Sequence, residues 1–397
     1  MKVLYLVHRL PYPPNKGDKV RSYHLLKHLA ARHEVHLGSF LDDPDDEQHL
    51  PRVRALCKSL HVARLNPRAA KLLSLRGLLS GEALSLPYYR DAGLQAWVDE
   101  TAAREGFDAV VVFSGVMAQY TRGLKGVKTL VDFVDVDSAK WRDYAPEHAW
   151  PMSWLYRREF AKLLGFEQRV AAEAACSFFV TDNEVALFRE LSPGRELRLA
   201  ALGNGVDADF FTPDASRTSP FAADELPLVF TGAMDYWPNV DAVTWFAGSI
   251  LPALRERFPA LRFHIVGRSP APAVQALAGD AVNVTGTVPD VRPFLQHAAA
   301  VVAPLRLARG IQNKVLEAMA MARPVVAAAS CVRAITGAAQ PGLQPADTES
   351  DYVERVSALL ADPEAARGAG RGARDFVLGA YSWEAHLADL DRHLEAA

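Results

Sequence analysis

No run of this chain approaches the roughly 18 consecutive apolar residues that a membrane-spanning helix requires. Cysteine is scarce: Cys57, Cys176 and Cys331 are odd in number, scattered and set in apolar surroundings. That excludes a disulfide framework and any metal-ligand spacing, and fits the reduced core thiols of a cytosolic protein. Neither sign of charge dominates, the net being −3, so no overall basic character favours nucleic acid. The chain shows no internal repeat of fixed period. Its opening residues, Met1 to Val7, form too short an apolar run for a signal peptide, and no small-residue cleavage site follows. The expectation is a cytoplasmic protein, soluble or peripheral at the inner face of the membrane. The loop after that first run has no G-x-G-x-x-G fingerprint, which argues against an NAD enzyme.

What is present is an ordinary globular composition over 397 residues, long enough for two domains, since single cores rarely grow past about 250–300 residues. Short apolar runs alternate with helical patterns, which reads as α/β with buried parallel strands. One stretch organises the second half. Ala298–Pro304 suits a buried strand stopped by proline, and Arg309, Gly310, Ile311, Gln312, Asn313 and Lys314 form a polar loop. From about Gln312 the pattern turns helical, with Val315, Leu316, Met319 and Ala320 on one face, and Pro324–Ala327 starts the next strand. Ligands bind outside the carboxyl ends of such strands, where a helix N-terminus offers N–H groups to an anion. Gly310 would let a phosphate approach the backbone, and Glu317 could accept hydroxyl hydrogens.

The first half repeats the logic. Strand 3–7 leads into His8-Arg9-Leu-Pro-Tyr-Pro-Pro-Asn-Lys-Gly17, a phosphate-approach loop, and then a helix. The acidic run Asp42–Glu47 reads as a solvated loop rather than a metal site. Between His61 and Gly81, Arg64, Arg68, Lys71 and Arg76 occur among leucines with no acid; the segment is either a surface helix or a contact for an anionic membrane. The run Thr129–Val134 ends in Asp135-Val-Asp137-Ser138, where a carboxylate could take an acceptor's hydroxyl proton. The D-x-D there is a coincidence rather than a metal motif. Asp182 or Asn183 is expected to cap the helix after Phe178–Val180. Pro213–Pro227 is a turn-rich linker, and the next strand ends at Gly232, with Asn239 and Asp241 ahead of a helix at Val243–Leu254.

Lys314, Glu317, Ala318, Met319, Ala320, Pro324, Val325 and Val326 match a K-x-x-E-A-M-A…P-V-V pattern. With Asn204-Gly-Val-Asp207, the strand ending at Gly232, Val266-Gly267 and Gly286-Thr-Val288-Pro-Asp290, the order resembles the retaining GT-B glycosyltransferases of family four. The H-R-x-P-Y-P-P and V-D-F-V-D-V-D-S stretches resemble the sugar transferases of bacterial exosortase and exopolysaccharide systems. The resemblance implies two facing Rossmann-like domains with a cleft. They would be an acceptor-side domain at 1–212, carrying a final helix at 381–397, and a nucleotide-sugar domain at 213–380.

The implied reaction is metal-independent transfer of a hexosyl-type group with retention, from a nucleotide-sugar co-substrate to a glycan or lipid-linked acceptor. It implies a ribose role for Glu317 and donor contacts at Gly17, Gly232, Val288, Gly310 and Gln312. Two departures stand out. Arg309 replaces the family's earlier Glu, and no Lys or Arg lies between Gly232 and Trp245. By position, Arg268, Arg309 and Lys314 are the substitutes for the missing cations, and Asp135 and Asp137 stand where a His is usual. The rival readings are a nucleotide-sugar 2-epimerase of the same architecture and a non-catalytic nucleotide-sugar-binding regulator.

Overall fold

Thirteen strands among the described residues fall into two parallel sheets. A computed structural model describes residues 1–14, 17–306, 311–335 and 342–395. In the first sheet β1 (Lys2–Val7), β2 (Glu34–Leu41), β3 (Ser59–Arg64), β4 (Ala109–Phe113), β5 (Lys128–Val134), β6 (Cys176–Phe179) and β7 (Leu199–Ala201) lie in the order β3-β2-β1-β4-β5-β6-β7. In the second, β8 (Leu226–Thr231), β9 (Leu261–Val266), β10 (Val282–Gly286), β11 (Ala300–Ala303), β12 (Val325–Ala328) and β13 (Leu343–Ala346) lie in the order β10-β9-β8-β11-β12-β13. Each is doubly wound, with helices between successive strands. The strand order reverses between β1 and β4, and again between β8 and β11. Those are the points where an open parallel sheet leaves a crevice at its carboxyl edge.

The residues form two units, Met1–Asn204 with His386–Ala397, and Gly205–Ala385. The final helix, Trp383–Glu395, thus belongs mainly to the first unit. There its His28–Asp391 pair closes at 2.8 Å and Lys128 donates to the Leu394 carbonyl. The Pro213–Pro227 stretch is packed on the second unit, where Gln296 accepts the Asp214 N–H and donates back to the Asp214 carbonyl.

Strands such as β1 and β4 are apolar along their length because both faces are covered, and Leu4, Leu6, Val110 and Val112 are fully buried. A charged residue also enters this core. Asp132, in the middle of β5, is buried, and so is Arg21 on the helix Gly17–Arg32. The guanidinium takes the carboxylate in a fork, Nε to Oδ2 at 2.7 Å and Nη2 to Oδ1 at 3.0 Å, and also donates to Asn204 Oδ1.

Three expectations change. The acidic run is solvated at Asp45 and Glu47, but it forms a 3₁₀ turn, Pro44–His49, and Asp46 is 4% exposed because it pairs with the buried Lys19. Thr181 caps the helix Asp182–Glu190 through Glu184 N–H, since its hydroxyl stands in extended backbone ahead of the helix whereas Asp182 and Asn183 lie inside it. The helix expected at 243–254 already starts at Trp237. It runs through a π-type turn, Phe246–Ile250, before Leu251–Arg257.

Candidate functional site

The second unit gathers its chemistry at the carboxyl end of β8. Gly232 ends that strand and Gly267 ends β9, and the two backbones press together. A Cβ on Gly267 would fall 1.6 Å from the Gly232 carbonyl oxygen, so only glycine fits there. A Cβ on Gly232 would come 2.8 Å from Asn239 Nδ2 and 3.0 Å from Lys314 Nζ. That space is what lets the lysine reach the strand end. Lys314 donates to Asn239 Oδ1 at 2.6 Å, and its ammonium sits 4.1 Å from the centre of the Phe230 ring. Asn239 is fixed in turn by donating to the Ala233 carbonyl.

Lys314 rides on the helix Asn313–Ala320, whose N-cap is Gln312 with no side-chain capping bond. Glu317 lies one turn further along. Among the described residues its carboxylate takes no hydrogen bond, so its lone pairs are open to a ligand. Burial pulls the Lys314 ammonium down to about 7 against the attraction of Glu317. Burial likewise pushes Glu317 up to about 7 against the attraction of Lys314. Both groups therefore titrate close to neutrality, where a ligand's charge can decide their state.

Of the other expected residues in this unit, Arg268 follows Gly267, and its carbonyl accepts the Met234 N–H at 2.9 Å. That bond keeps the loops after β8 and β9 side by side. Val288 lies beyond β10, partly buried against the core. Arg309 and Gly310 lie outside the described residues. Just before them Arg306 binds Asp241, with Nε to Oδ2 at 3.0 Å, and lies over the Trp245 ring. Sequence reasoning assigned no role to Asn239, Phe230 or Arg306. Asn239 had a signal, seven residues past the strand glycine; Phe230 and Arg306 had none.

In the first unit the loop after β5 is braced from three sides. Val134 has φ 69°, a conformation that a β-branched residue rarely adopts, and Asp135 N–H closes a tight turn on the Phe133 carbonyl. Asp132 Oδ1 accepts the Val134 N–H, Glu184 Oε2 accepts that of Val136 at 2.7 Å, and Glu167 Oε1 accepts that of Ser138. Three carboxylates thus hold three alternate backbone donors. Glu167 also accepts the Ser138 hydroxyl at 2.5 Å, and burial pushes its carboxyl up to about 8.

This loop brings Asp135 and Asp137 together on one cation, Lys140 Nζ, at 3.0 and 2.8 Å. Although burial opposes it, the two carboxylates raise the lysine above its ordinary value. The chain itself therefore supplies the positive charge that a D-x-D pair would otherwise draw from solution. Among the described residues, potential metal ligands gather instead at Glu34, His36 and Glu105. There Lys2 Nζ already sits 3.2 Å from Glu105.

Asp137 and Lys140 line a cavity of 250 Å³ with His8 and Ser114, which follow β1 and β4 at the reversal of strand order. Gly17 opens the neighbouring helix, and a Cβ there would meet nothing within 4 Å. The first turn of that helix carries Asp18, which pairs with Arg9 at 2.7 Å and His8 at 3.4 Å. Burial notwithstanding, His8 and Arg9 hold the Asp18 carboxyl well below the usual range. A carboxylate in that turn suits a neutral, hydroxyl-bearing ligand better than a phosphate.

Residues 225–362 match the model of a family described as glycosyl transferases, group 1. No curated protein sequence matches the chain. Among solved structures, sucrose-phosphate synthase from Thermosynechococcus elongatus is 18% identical, with a TM-score of 0.66 over 99% of this chain and 98% of that one. Anabaena HepE in complex with UDP is 15% identical, with a TM-score of 0.66 over 100% of both chains. WaaG, a glycosyltransferase involved in lipopolysaccharide biosynthesis, is 17% identical, with a TM-score of 0.62 over 100% of both. The fold of this chain is that of the GT-B glycosyltransferases, two Rossmann-like units with parallel sheets of seven and six strands.

Proposed function

We propose that this chain is a glycosyltransferase that binds a nucleotide-sugar on its second unit and presents a glycan or lipid-linked acceptor on its first. The transfer proceeds with retention and without a bound metal or other cofactor, in exopolysaccharide or cell-surface glycan synthesis. The observation that carries the reading is the Lys314–Glu317 pair, set against Gly232 at the end of β8 within the stretch that matches the group 1 family. Glu317 has free acceptors for ribose hydroxyls. Lys314 offers an ammonium to the diphosphate, whose developing charge is the main barrier to departure. Anabaena HepE has been crystallised with UDP and with UDP-glucose, which supports a UDP-sugar as the first donor to test. Arg68, Lys71 and Arg76 are the cations left for an anionic membrane surface, because Arg64 ends β3 and pairs with Glu47.

Calorimetry with UDP-glucose tests the donor site. Glu317→Ala removes an acceptor of two hydroxyls, and hydrogen bonds to a charged group are worth about 1.5–3 kcal/mol each. The expected result is at least a tenfold weaker affinity with an unchanged or slightly higher melting temperature for the free protein, since burial of the carboxylate outweighs the attraction of Lys314. Unaltered affinity would remove Glu317 from the donor site. Release of free UDP or an epimerised donor with no acceptor present would move the reading to the 2-epimerase. Binding without turnover of any donor would move it to a regulator.

The same pair fixes a pH dependence. UDP-glucose carries a fixed diphosphate charge and favours the ammonium form of Lys314, so its affinity falls as pH rises above about 7. Its ribose favours ionised Glu317, so affinity also falls as pH drops below about 7. The expected profile is bell-shaped with a maximum near neutrality. Lys314→Met flattens the alkaline limb and Glu317→Gln the acid one. A flat wild-type profile between pH 5.5 and 8.5, measured on roughly that span of buffers, would separate these groups from the ligand.

A further inference from the structure

The first unit leaves its largest exposed apolar side chains on two neighbouring segments. The short helices Pro67–Ser74 and Arg76–Ser80 expose Leu72 (70%) and Leu79 (92%), together with Leu73, Leu75 and Leu78. The start of the helix Met152–Glu173 exposes Trp150 (81%), Met152 and Trp154. The segments are fastened together. Arg158 donates to the Gly77 carbonyl at 2.6 Å, and Glu159 accepts from Leu84 N–H and from the N–H and hydroxyl of Ser85.

Between them lies a cavity of 400 Å³ walled by Leu75, Leu84, Tyr88, Trp141, Leu155 and Tyr156, within the size range of small-ligand pockets. It shares the walls Ser85, Tyr89 and Trp141 with the cavity that holds His8, Asp137 and Lys140. One side chain at its rim is cationic: Lys71 lines it, and Arg68 and Arg76 stand on the same two helices. From Asn66 to Gly81 the chain has no acid, and none of these three cations forms an ion pair among the described residues.

An apolar cavity, a cationic rim, and the polar groups of His8, Asp137 and Lys140 behind a shared wall are complementary to one kind of molecule. We propose that this cavity binds the hydrocarbon chain of a phosphate-bearing lipid, which serves as the acceptor. The chain packs against Leu75, Leu84 and Leu155. The phosphate lies near Lys71, and the hydroxyl-bearing end turns toward Asp137 and Lys140. A polar glycan would leave such a cavity unfilled, and wetting its apolar walls is unfavourable. This inference rests on the acceptor being lipid-linked in the reading above, but its test does not use activity.

The probe is dodecyl phosphate below its micelle concentration, titrated into the whole protein and followed by calorimetry and tryptophan fluorescence. The expected result is saturable binding that butyl phosphate and inorganic phosphate do not reproduce. Leu155→Trp, which fills the cavity, and Lys71→Glu, an exposed change that leaves the fold alone, should each weaken binding at least tenfold while UDP-glucose affinity stays the same. Equal binding by both variants would overturn the proposal, as would equal binding of butyl and dodecyl phosphate. Binding to anionic vesicles with none to the monomeric probe would make the face a membrane surface only. Failure of the wild type to bind UDP-glucose, with the cavity results intact, would count against the donor reading and not against this site.

Discussion

Arg21→Met is expected to lower the stability of the first unit by about 3–5 kcal/mol, the usual cost of leaving one member of a buried ion pair alone. The pair is fully enclosed, and its fork on Asp132 is the only positive charge given to that carboxylate among the described residues. Methionine fills much of the volume and supplies none of the five donors. The consequence reaches the site through the backbone. Asp132 Oδ1 also accepts the Val134 N–H, and Val134 is held in a left-handed conformation that costs about 1–3 kcal/mol. With Asp132 free to turn toward water, that turn relaxes and Asp135 and Asp137 are no longer held on Lys140. Urea unfolding reads the first effect. The double variant Arg21→Met/Asp132→Leu separates the two, because an apolar pair recovers much of the stability but gives Val134 N–H no acceptor. Stability should return and turnover should not. An unshifted transition for Arg21→Met, or full turnover in the double variant, would show that the pair neither supports the unit nor shapes the loop.

Lys314→Met is expected to reduce turnover roughly 10²–10³-fold, the range seen when one donor to a developing oxyanion is removed. Cations are scarce at this strand end. Gly232 to Trp245 holds no Lys or Arg, and Arg306 is engaged by Asp241. Lys314 is held at the strand end by Asn239 and Phe230. In the free protein burial pulls it toward neutrality, so a diphosphate that restores its charge strengthens as the sugar departs. A stabilisation that grows along the reaction appears in turnover more than in the donor Michaelis constant. Steady-state kinetics with UDP-glucose decides it. A raised Michaelis constant with turnover intact would make Lys314 a binding residue only. Recovery on adding magnesium or manganese would support charge stabilisation, since a free cation would then replace the lost one. Arg309, which with Arg268 is also expected from its position to substitute, lies outside the described residues, and the parallel variant Arg309→Met measures its share.

The periodic parts of this protein were legible in its sequence. Buried strands such as Val3–Val7 and Val325–Ala328 announce themselves because both faces must be apolar. From that order the α/β class and the placing of Lys314 and Glu317 one turn apart follow, because each depends on neighbours within a few residues; the reversal points do not, since β1 pairs with β4 across more than a hundred residues. Other features do not. The Arg21–Asp132 fork joins residues 111 apart, and Lys314 meets Asn239 across 75. Nothing local marks Glu167 and Glu184 as the acceptors for Ser138 and Val136. A buried charge in a helix or strand looks like any other charge until its partner is placed. Asp46 reads as a solvated acid for the same reason, until the helix Gly17–Arg32 brings Lys19 against it. Propensity and period are properties of a segment; the pairing of desolvated polar groups is a property of the packed sheet, and only the tertiary structure decides it.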